Sequence, residues 1–127
     1  MDNIPKKYVK KILIVDDEAE LRATLRQWLE QAKYYILEAA DGRQALNVIR
    51  NERPHLVLLD VKMPEMDGWE VLQAIRADDE MSSLPVIMLT AYGETDSLLE
   101  SQRMHANDFF IKPFKLEELL IFIKRYL

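Results

Sequence analysis

The sequence of 127 residues has no cysteine, only three glycines and no long apolar run. Without cysteine, disulfides, thiolate metal sites and cysteine nucleophiles are excluded, and a reducing compartment is compatible with the composition. Three isolated glycines cannot build a glycine-rich phosphate loop, which argues against a dinucleotide-binding enzyme. No segment has the length of a membrane span, and the first eleven residues, MDNIPKKYVKK, lack an apolar signal core. We therefore expect a soluble, cytoplasmic protein without a membrane partner.

The charge balance is acidic, with 17 Lys and Arg residues against 22 Asp and Glu residues and a net charge of −5. Nucleic-acid surfaces cluster Lys and Arg to neutralise phosphates, so we expect no direct nucleic-acid binding by this chain. The only basic cluster is the KKYVKK segment, residues 6–11, which is more typical of a solvated lead-in than of a binding arm. We expect a lead-in over residues 1–10 and one domain over residues 11–127.

Five short apolar segments rich in β-forming residues predict strands. They are residues 11–15, 34–39, 56–59, 86–89 and 109–111. Apolar residues recur with helical spacing after each of them, and the fourth of these five predicted helices, roughly residues 94–105, has the thinnest apolar stripe. Asp67 suits a helix N-cap, and Asp41 is predicted to form the turn into the second helix. Strands alternating with helices favour a parallel sheet covered on both faces, so we predict a five-stranded α/β sandwich.

Polar side chains follow four of the five predicted strands at their carboxyl ends. Asp16 and Asp17 follow the first strand, Asp60 the third, Thr90 the fourth and Lys112 the fifth. In an open parallel sheet these strand ends meet along one edge, where ligands bind. A single Asp at a strand end is more often a turn residue than a nucleophile. Four strand ends that bring complementary groups to one edge indicate a site.

The residue types at this edge favour phosphoryl chemistry. Three carboxylates repel one another unless a cation compensates, and oxygen ligands with room for water suit Mg²⁺. A lysine and a hydroxyl donor beside these carboxylates would stabilise a phosphoryl group. Because a carboxylate can itself be a nucleophile, Asp60 could form an acyl phosphate at the end of a rigid strand.

Four motifs in this sequence resemble the receiver domain of bacterial two-component response regulators. They are IVDDE at 14–18, LLDVKMPEMDG at 58–68, PVIMLTA at 85–91 and FIKPF at 110–114. The resemblance runs in order from about residue 11 to residue 127. It implies a single flavodoxin-like doubly wound (βα)5 domain, whose five-stranded parallel sheet has the order 2-1-3-4-5. The ligand-binding switch point then lies between strands 1 and 3.

The resemblance implies a phosphoacceptor and its metal ligands. Asp60 would accept a phosphoryl group from the phosphohistidine of a sensor histidine kinase or a phosphotransfer protein. Mg²⁺ would be held by Asp16, Asp17, Asp60 and the backbone carbonyl of Lys62. The chain would then be a signalling switch and not an enzyme, apart from catalysing its own phosphoryl uptake and slow autodephosphorylation.

The resemblance also implies a switch. Lys112 would contact a phosphoryl oxygen, and Thr90 would turn its hydroxyl toward the phosphate with help from the Ala91 N–H. Phe109 stands where the family usually has a Tyr or Phe that changes rotamer on activation. The change would alter the surface around the fourth predicted helix, the fifth strand and the fifth helix, and so control an unknown downstream protein or output domain.

Four further residues are assigned supporting roles by the resemblance. Glu18 and Pro64 flank the acidic residues, and the peptide bond before Pro113 is expected to be cis. Tyr92, two residues after Thr90, is predicted to shield an acyl phosphate from water. On this hypothesis, Tyr92→Ala would shorten the lifetime of the phosphorylated protein.

Two other functions compete with the receiver interpretation. A phosphatase of the haloacid dehalogenase type also uses an Asp nucleophile with Mg²⁺, but it usually has a second Asp two residues later, where this sequence has Lys62. A constitutive interaction module would keep the fold without the phosphate switch, although the complete set of site residues argues against it. No output segment follows the last predicted helix, so we expect a stand-alone receiver or one excised from a longer regulator.

The last predicted helix leaves one apolar residue without an assigned partner. Its core stripe is complete without Ile121 and Phe122, so one of the two is expected on another face. Phe122 would either be buried under the fourth predicted helix or contribute to a hydrophobic partner surface.

Overall fold

The computed structural model describes residues 9–91 and 105–127. Its five strands are β1 (Lys11–Val15), β2 (Tyr35–Ala39), β3 (Leu56–Asp60), β4 (Val86–Ala91) and β5 (Asp108–Lys112). Its four helices are α1 (Ala19–Gln31), α2 (Gly42–Glu52), α3 (Gly68–Ala77) and the C-terminal helix α4 (Leu116–Tyr126), which is the fifth helix predicted from the sequence. The helix predicted at 94–105 lies outside the described residues except for His105, and so does Tyr92. None of the described helices combines the length and apolar character needed to cross a bilayer.

The strands form one parallel sheet in the order β2-β1-β3-β4-β5, which confirms the predicted fold. All five residues of the central strand β3 are buried. Val57 and Leu59 pack into a cluster with α2 and α3, while Leu56 and Leu58 pack into a second cluster with α1 and the C-terminal helix. The strands are therefore continuously apolar because both faces of the sheet are covered.

Three strands run further at their carboxyl ends than the apolar pattern predicted, and the residues added there belong to the site. β3 includes Asp60, β4 includes Thr90 and Ala91, and β5 includes Lys112. The ladder continues because backbone groups pair whatever side chain they carry, and the Val61 N–H still donates to a carbonyl of β4 at 2.8 Å. β2 begins at residue 35, one residue later than predicted. The polar residues are thus held by the sheet itself.

Two aspartates cap the helices that follow β2 and β3. The Asp41 carboxylate accepts a hydrogen bond from the Gln44 N–H at 2.8 Å, and the Asp67 carboxylate accepts one from the Glu70 N–H at 2.9 Å. The N-cap predicted at Asp67 is confirmed, and the turn at Asp41 is the N-cap of α2.

The outer face of the C-terminal helix resolves the choice between Ile121 and Phe122. The Phe122 ring packs edge-on against Phe110 with centroids 4.9 Å apart, and the Arg125 guanidinium lies 4.6 Å from the Phe122 centroid. Ile121 is 59% exposed, and Ile111 on β5 is 51% exposed. The exposed apolar residue of this helix is therefore Ile121.

Candidate functional site

Three carboxylates meet at the carboxyl edge of the sheet. Asp60 ends β3, and Asp16 and Asp17 directly follow β1, the neighbouring strand. One carboxylate oxygen from each lies within 4.8 Å of the other two. Asp16 is 0% exposed and Asp60 is 4% exposed, whereas Asp17 faces solvent. The parallel topology brings together the residues that the sequence placed at two separate strand ends.

The loop after β1 holds the Asp16 side chain in a defined orientation. One carboxylate oxygen of Asp16 accepts a hydrogen bond from the Glu18 N–H at 2.8 Å, which turns the chain into α1. Glu18 is the N-cap residue of α1, but its own side chain makes no capping bond. The N-terminus of α1 thus lies next to the acidic residues, and its dipole favours negative charge there.

Lys112 joins two of the carboxylates. Its Nζ donates to Asp16 at 2.9 Å and to Asp60 at 3.3 Å, and its side chain is 19% exposed. Burial lowers the pKa of Lys112, but the two carboxylates outweigh that effect and raise it above the ordinary value. Lys112 is therefore a largely buried ammonium that two of the three carboxylates share.

The Lys112 ammonium does not fully offset the free-energy cost of keeping Asp60 ionised in this buried site. Burial raises the pKa of Asp60 from 3.8 to about 6. The charge of Asp16 adds to this effect, whereas the charge and the hydrogen bond of Lys112 oppose it. A carboxyl group in this state gains from any further cation that binds beside it. Its raised pKa thus reflects burial first and the neighbouring Asp16 charge second, and strongly shifted pKa values of this kind are typical of functional sites.

The donor set fits Mg²⁺. The ion prefers oxygen ligands, usually from one or two carboxylates, and keeps several waters. Asp17 provides the solvent-facing side of the cluster, and it lines a groove of about 520 Å³ together with Lys62, Met63 and Trp69. Asp16, Asp17 and Asp60 are thus the residues that would hold the ion. A ligand role for the Lys62 carbonyl stays a prediction.

Thr90 has a buried hydroxyl without a hydrogen-bond partner among the described residues. The residue is 1% exposed and follows Leu89, which lies beside Asp60 in the sheet register. A buried hydroxyl without a partner costs about 1–3 kcal/mol. Within residues 9–91 and 105–127, the Thr90 hydroxyl thus has no acceptor.

Thr90→Val is expected to leave the unphosphorylated protein as stable as the wild type, or about 1 kcal/mol more stable, because it removes an unsatisfied hydroxyl at constant shape. Urea unfolding monitored by circular dichroism would measure this. The control, Thr90→Ala, also deletes a buried methyl group and should destabilise by about 1 kcal/mol. A loss of more than about 1 kcal/mol in the Val variant would show that the hydroxyl has a native partner.

The remaining predicted site residues lie around this edge. Ala91 is exposed and pairs with Lys112 in the sheet register. Phe109 is half-buried and packs against the cluster beneath α2 and α3. The peptide bond between Lys112 and Pro113 is cis, as the resemblance implied. Pro64 is exposed in the loop after β3, and its carbonyl accepts from the Met66 N–H at 2.9 Å.

Two residues near the site had no signal in the sequence analysis. A Cβ built on Gly68 would lie 2.2 Å from the backbone oxygen of Asp60, so glycine is required for α3 to approach β3. Arg22 on α1 donates to the backbone carbonyl of Asp16 at 2.7 Å. In the sequence, Asp67 and Gly68 suggested only a helix N-cap. No local pattern links Arg22 to the loop that precedes α1.

A parallel sheet of this order, with three aspartates, a threonine and a lysine at its carboxyl edge, defines a receiver domain. The chain belongs to the response regulator receiver domain family, whose model matches residues 12–124. The resemblance seen in the sequence is thereby confirmed. Receiver domains belong to two-component signal transduction, so the alternatives of a phosphatase and of a dinucleotide-binding enzyme are rejected.

Individual relatives support the same assignment. The chain is 44% identical over 118 residues to sporulation initiation phosphotransferase F of Bacillus subtilis (strain 168), covering 93% of this chain and 94% of that protein. It is 43% identical over 110 residues to the probable transcriptional regulator ycf27 of Guillardia theta, covering 87% of this chain but only 42% of the regulator. The structure resembles chemotaxis protein CheY4 of Vibrio cholerae with a TM-score of 0.87 and 34% identity, over 94% of this chain and 99% of CheY4.

Proposed function

We propose that this chain is a phosphorylation-operated switch that accepts a phosphoryl group on Asp60. The donor would be the phosphohistidine of a sensor histidine kinase or of a phosphotransfer protein. The observation that carries the proposal is a buried Asp60 whose pKa is raised to about 6, held at one sheet edge with two further carboxylates and Lys112. Such a constellation serves little purpose in the fold, because it costs stability where apolar residues would not.

The transfer is a substitution at phosphorus. A carboxylate oxygen of Asp60 attacks, an O–P bond forms, and the P–N bond to the donor imidazole breaks with its electron pair remaining on nitrogen. A pKa of about 6 leaves most of Asp60 ionised above neutral pH, as the attack requires. Lys112 already bridges Asp16 and Asp60, and it can shift toward a phosphoryl oxygen without leaving the cluster. Mg²⁺ bound by the three carboxylates would neutralise charge on the transferring group.

The conformational response would start at Thr90. Its hydroxyl, which has no partner in the described part of the chain, can donate to a phosphoryl oxygen on Asp60, with the Ala91 N–H as a second donor. Movement of Thr90 would leave space that the half-buried Phe109 can enter. Thr90 pairs with the exposed Ile111 in the sheet register, and Phe109 lies on the same strand as Ile111. Phosphorylation would thus favour a pre-existing conformation with an altered surface around β5 and the C-terminal helix.

The partners are proposed only by class. The donor is a kinase or phosphotransfer protein met in the cytoplasm, and the target is a downstream protein or output domain. The roles of Glu18, Pro64 and Pro113 as supporting residues, of Lys62 as a carbonyl ligand and of Tyr92 as a shield are part of this proposal. The acyl phosphate would be lost by slow autodephosphorylation, in which water attacks the phosphorus.

The first test is phosphorylation by a small donor. Wild-type protein incubated with Mg²⁺ and acetyl phosphate should gain one phosphoryl group, which intact-mass spectrometry would detect. Asp60→Asn should gain none, because an amide cannot form the acyl phosphate. Wild-type protein with EDTA should also remain unmodified, because Lys112 alone does not offset the charge of three carboxylates and an incoming phosphate.

If acetyl phosphate does not phosphorylate the wild-type protein, transfer from a phosphorylated kinase is the second test. A phosphoryl group on both wild type and Asp60→Asn would show that another residue is the acceptor. No modification of wild type by either donor would reject the switch and leave a constitutive interaction module with the receiver fold.

A further inference from the structure

Arg22 connects the acidic loop, residues 16–18 between β1 and α1, to the neighbouring strand β2. From the first turns of α1, its Nη1 donates to the backbone carbonyl of Asp16 at 2.7 Å, and its Nε donates to Glu38 at 3.1 Å. Glu38 is the penultimate residue of β2, and the Arg22 side chain is only 17% exposed. A single guanidinium therefore joins the loop after β1 to the strand beside it.

The Asp16 carbonyl, which accepts from Arg22, lies just beyond the last paired residue of β1. The regular pairing of β1 ends at Val15, which is opposite Ala39 and Leu59. The Asp16 N–H still donates to the Ala39 carbonyl at 3.2 Å. Beyond that bond the chain turns away toward α1, and the Asp16 carbonyl is bound by a side chain instead of a strand. The backbone at Asp16 is thus fixed by β2 on its N–H side and by Arg22 on its carbonyl side.

Glu38 holds Arg22 in place as a charged anchor. Burial acts to raise the pKa of Glu38, but hydrogen bonds from Arg26 and Arg22 lower it below its ordinary value. Arg26 donates to the second oxygen of Glu38 at 2.6 Å and also to Glu30 at 3.2 Å. Neither of the two hydrogen bonds of Arg26 reaches the acidic loop. Arg22 and Arg26 therefore share an anchor but differ in whether they contact the site.

We infer that Arg22 is a positioning residue for the metal-binding carboxylates. By holding the Asp16 carbonyl, it sets the peptide plane between Asp16 and Asp17 and hence the separation of their carboxylates. The planar fork of arginine is suited to this because its two donors diverge toward two acceptors, whereas lysine is a point charge. Groups that orient metal ligands typically contribute about 10- to 100-fold in metal affinity, and a backbone contact belongs at the lower end.

The inference is tested first in metal-free protein. Arg22→Met keeps the length of the side chain but removes both hydrogen bonds, and Arg26→Met is the matched control. Amide hydrogen exchange followed by NMR should become at least about tenfold faster at Asp16 and Glu18 in the Arg22 variant, since the loop loses its outer support. These two N–H groups are protected in the wild type because they donate to the Ala39 carbonyl and to the Asp16 carboxylate. Exchange at Leu13 in the middle of β1 should stay unchanged in both variants.

Mg²⁺ affinity provides the second measurement. Titration with MgCl₂, followed by isothermal calorimetry, should give a dissociation constant about tenfold higher for Arg22→Met than for wild type. Arg26→Met should stay within about twofold of wild type, although it weakens the same anchor. Glu38→Gln, which releases Arg22 without removing it, should fall between the two. Arg22→Lys should not restore wild-type affinity, because one ammonium cannot span both acceptors.

The outcomes separate this inference from the proposed function on which it rests. Wild-type exchange rates at Asp16 and Glu18 in Arg22→Met would overturn the bracing role, whatever the protein does with Mg²⁺. Faster exchange with unchanged affinity would show that Arg22 braces the loop but does not position metal ligands, and would also overturn the inference. A wild-type protein that fails to bind Mg²⁺ would contradict the proposed function, while the exchange result in metal-free protein would still decide the bracing role.

Discussion

Gly68→Ala should destabilise the protein by about 3 kcal/mol or more. Alanine at an exposed helix start would normally be neutral or favourable. Here the added Cβ would lie 2.2 Å from the Asp60 carbonyl oxygen and 2.9 Å from the Val61 Cα, which are backbone atoms at the end of a central strand. They can move only by displacing Asp60 itself. Urea unfolding monitored by circular dichroism would measure the loss of stability.

Gly42→Ala is the matched control, because Gly42 is the first residue of α2 just as Gly68 is the first residue of α3. Its added Cβ would meet Val71 Cγ2 at 2.7 Å and the Met66 side chain at 2.8 Å. The half-buried Met66 can change rotamer, so the expected loss is about 1 kcal/mol. Equal losses in the two variants would show that the approach of α3 to β3 is not specially constrained.

Asp60→Asn should stabilise the metal-free protein by about 2 kcal/mol at pH 7.5. Raising the pKa of Asp60 from 3.8 to about 6 corresponds to a cost of roughly 3 kcal/mol for keeping it ionised in the folded state. The variant removes that cost but also loses the 3.3 Å contact with Lys112, which keeps its 2.9 Å bond to Asp16. Urea unfolding in EDTA would measure the difference.

The pH dependence gives the sign of this effect. Folded Asp60 holds its proton more tightly than unfolded Asp60, so protonation stabilises the fold, and that contribution is lost as pH rises through about 6. The advantage of Asp60→Asn should therefore shrink between pH 7.5 and pH 4. The exposed Asp17 provides a control, and Asp17→Asn should change stability much less. An advantage that does not change with pH would show that packing, and not charge, is responsible.

The same variant thus separates function from stability. Asp60→Asn should be more stable than the wild type, and it should also be unable to form an acyl phosphate. Residues that improve stability when replaced are expected at functional sites, because the native group is retained for chemistry and not for folding. The opposite signs of the two effects would be hard to explain for a residue that serves only the core.

Much of this protein was predictable from local patterns in the sequence. The alternation of apolar segments with helical periods predicted the parallel sheet, because each pattern depends only on a few neighbouring residues. The order of groups at the strand ends predicted that Asp16, Asp60 and Lys112 would meet, since parallel strands bring their carboxyl ends to one edge. The motifs around these residues resemble those of receiver domains. That resemblance predicted the strand order and the cis peptide bond before Pro113.

Only the tertiary structure decided the features that depend on packing between distant segments. The strands extend through Asp60, Thr90 and Lys112 because backbone pairing ignores polarity, whereas the apolar pattern stops before them. That the Thr90 hydroxyl lacks a described partner, and that the pKa of Asp60 is raised, follow from burial beside other strands. Arg22 finds its two acceptors in a loop and on β2, which no spacing along the chain encodes. Sequence patterns determine which groups reach the edge, and three-dimensional packing determines their distances, charge states and supports.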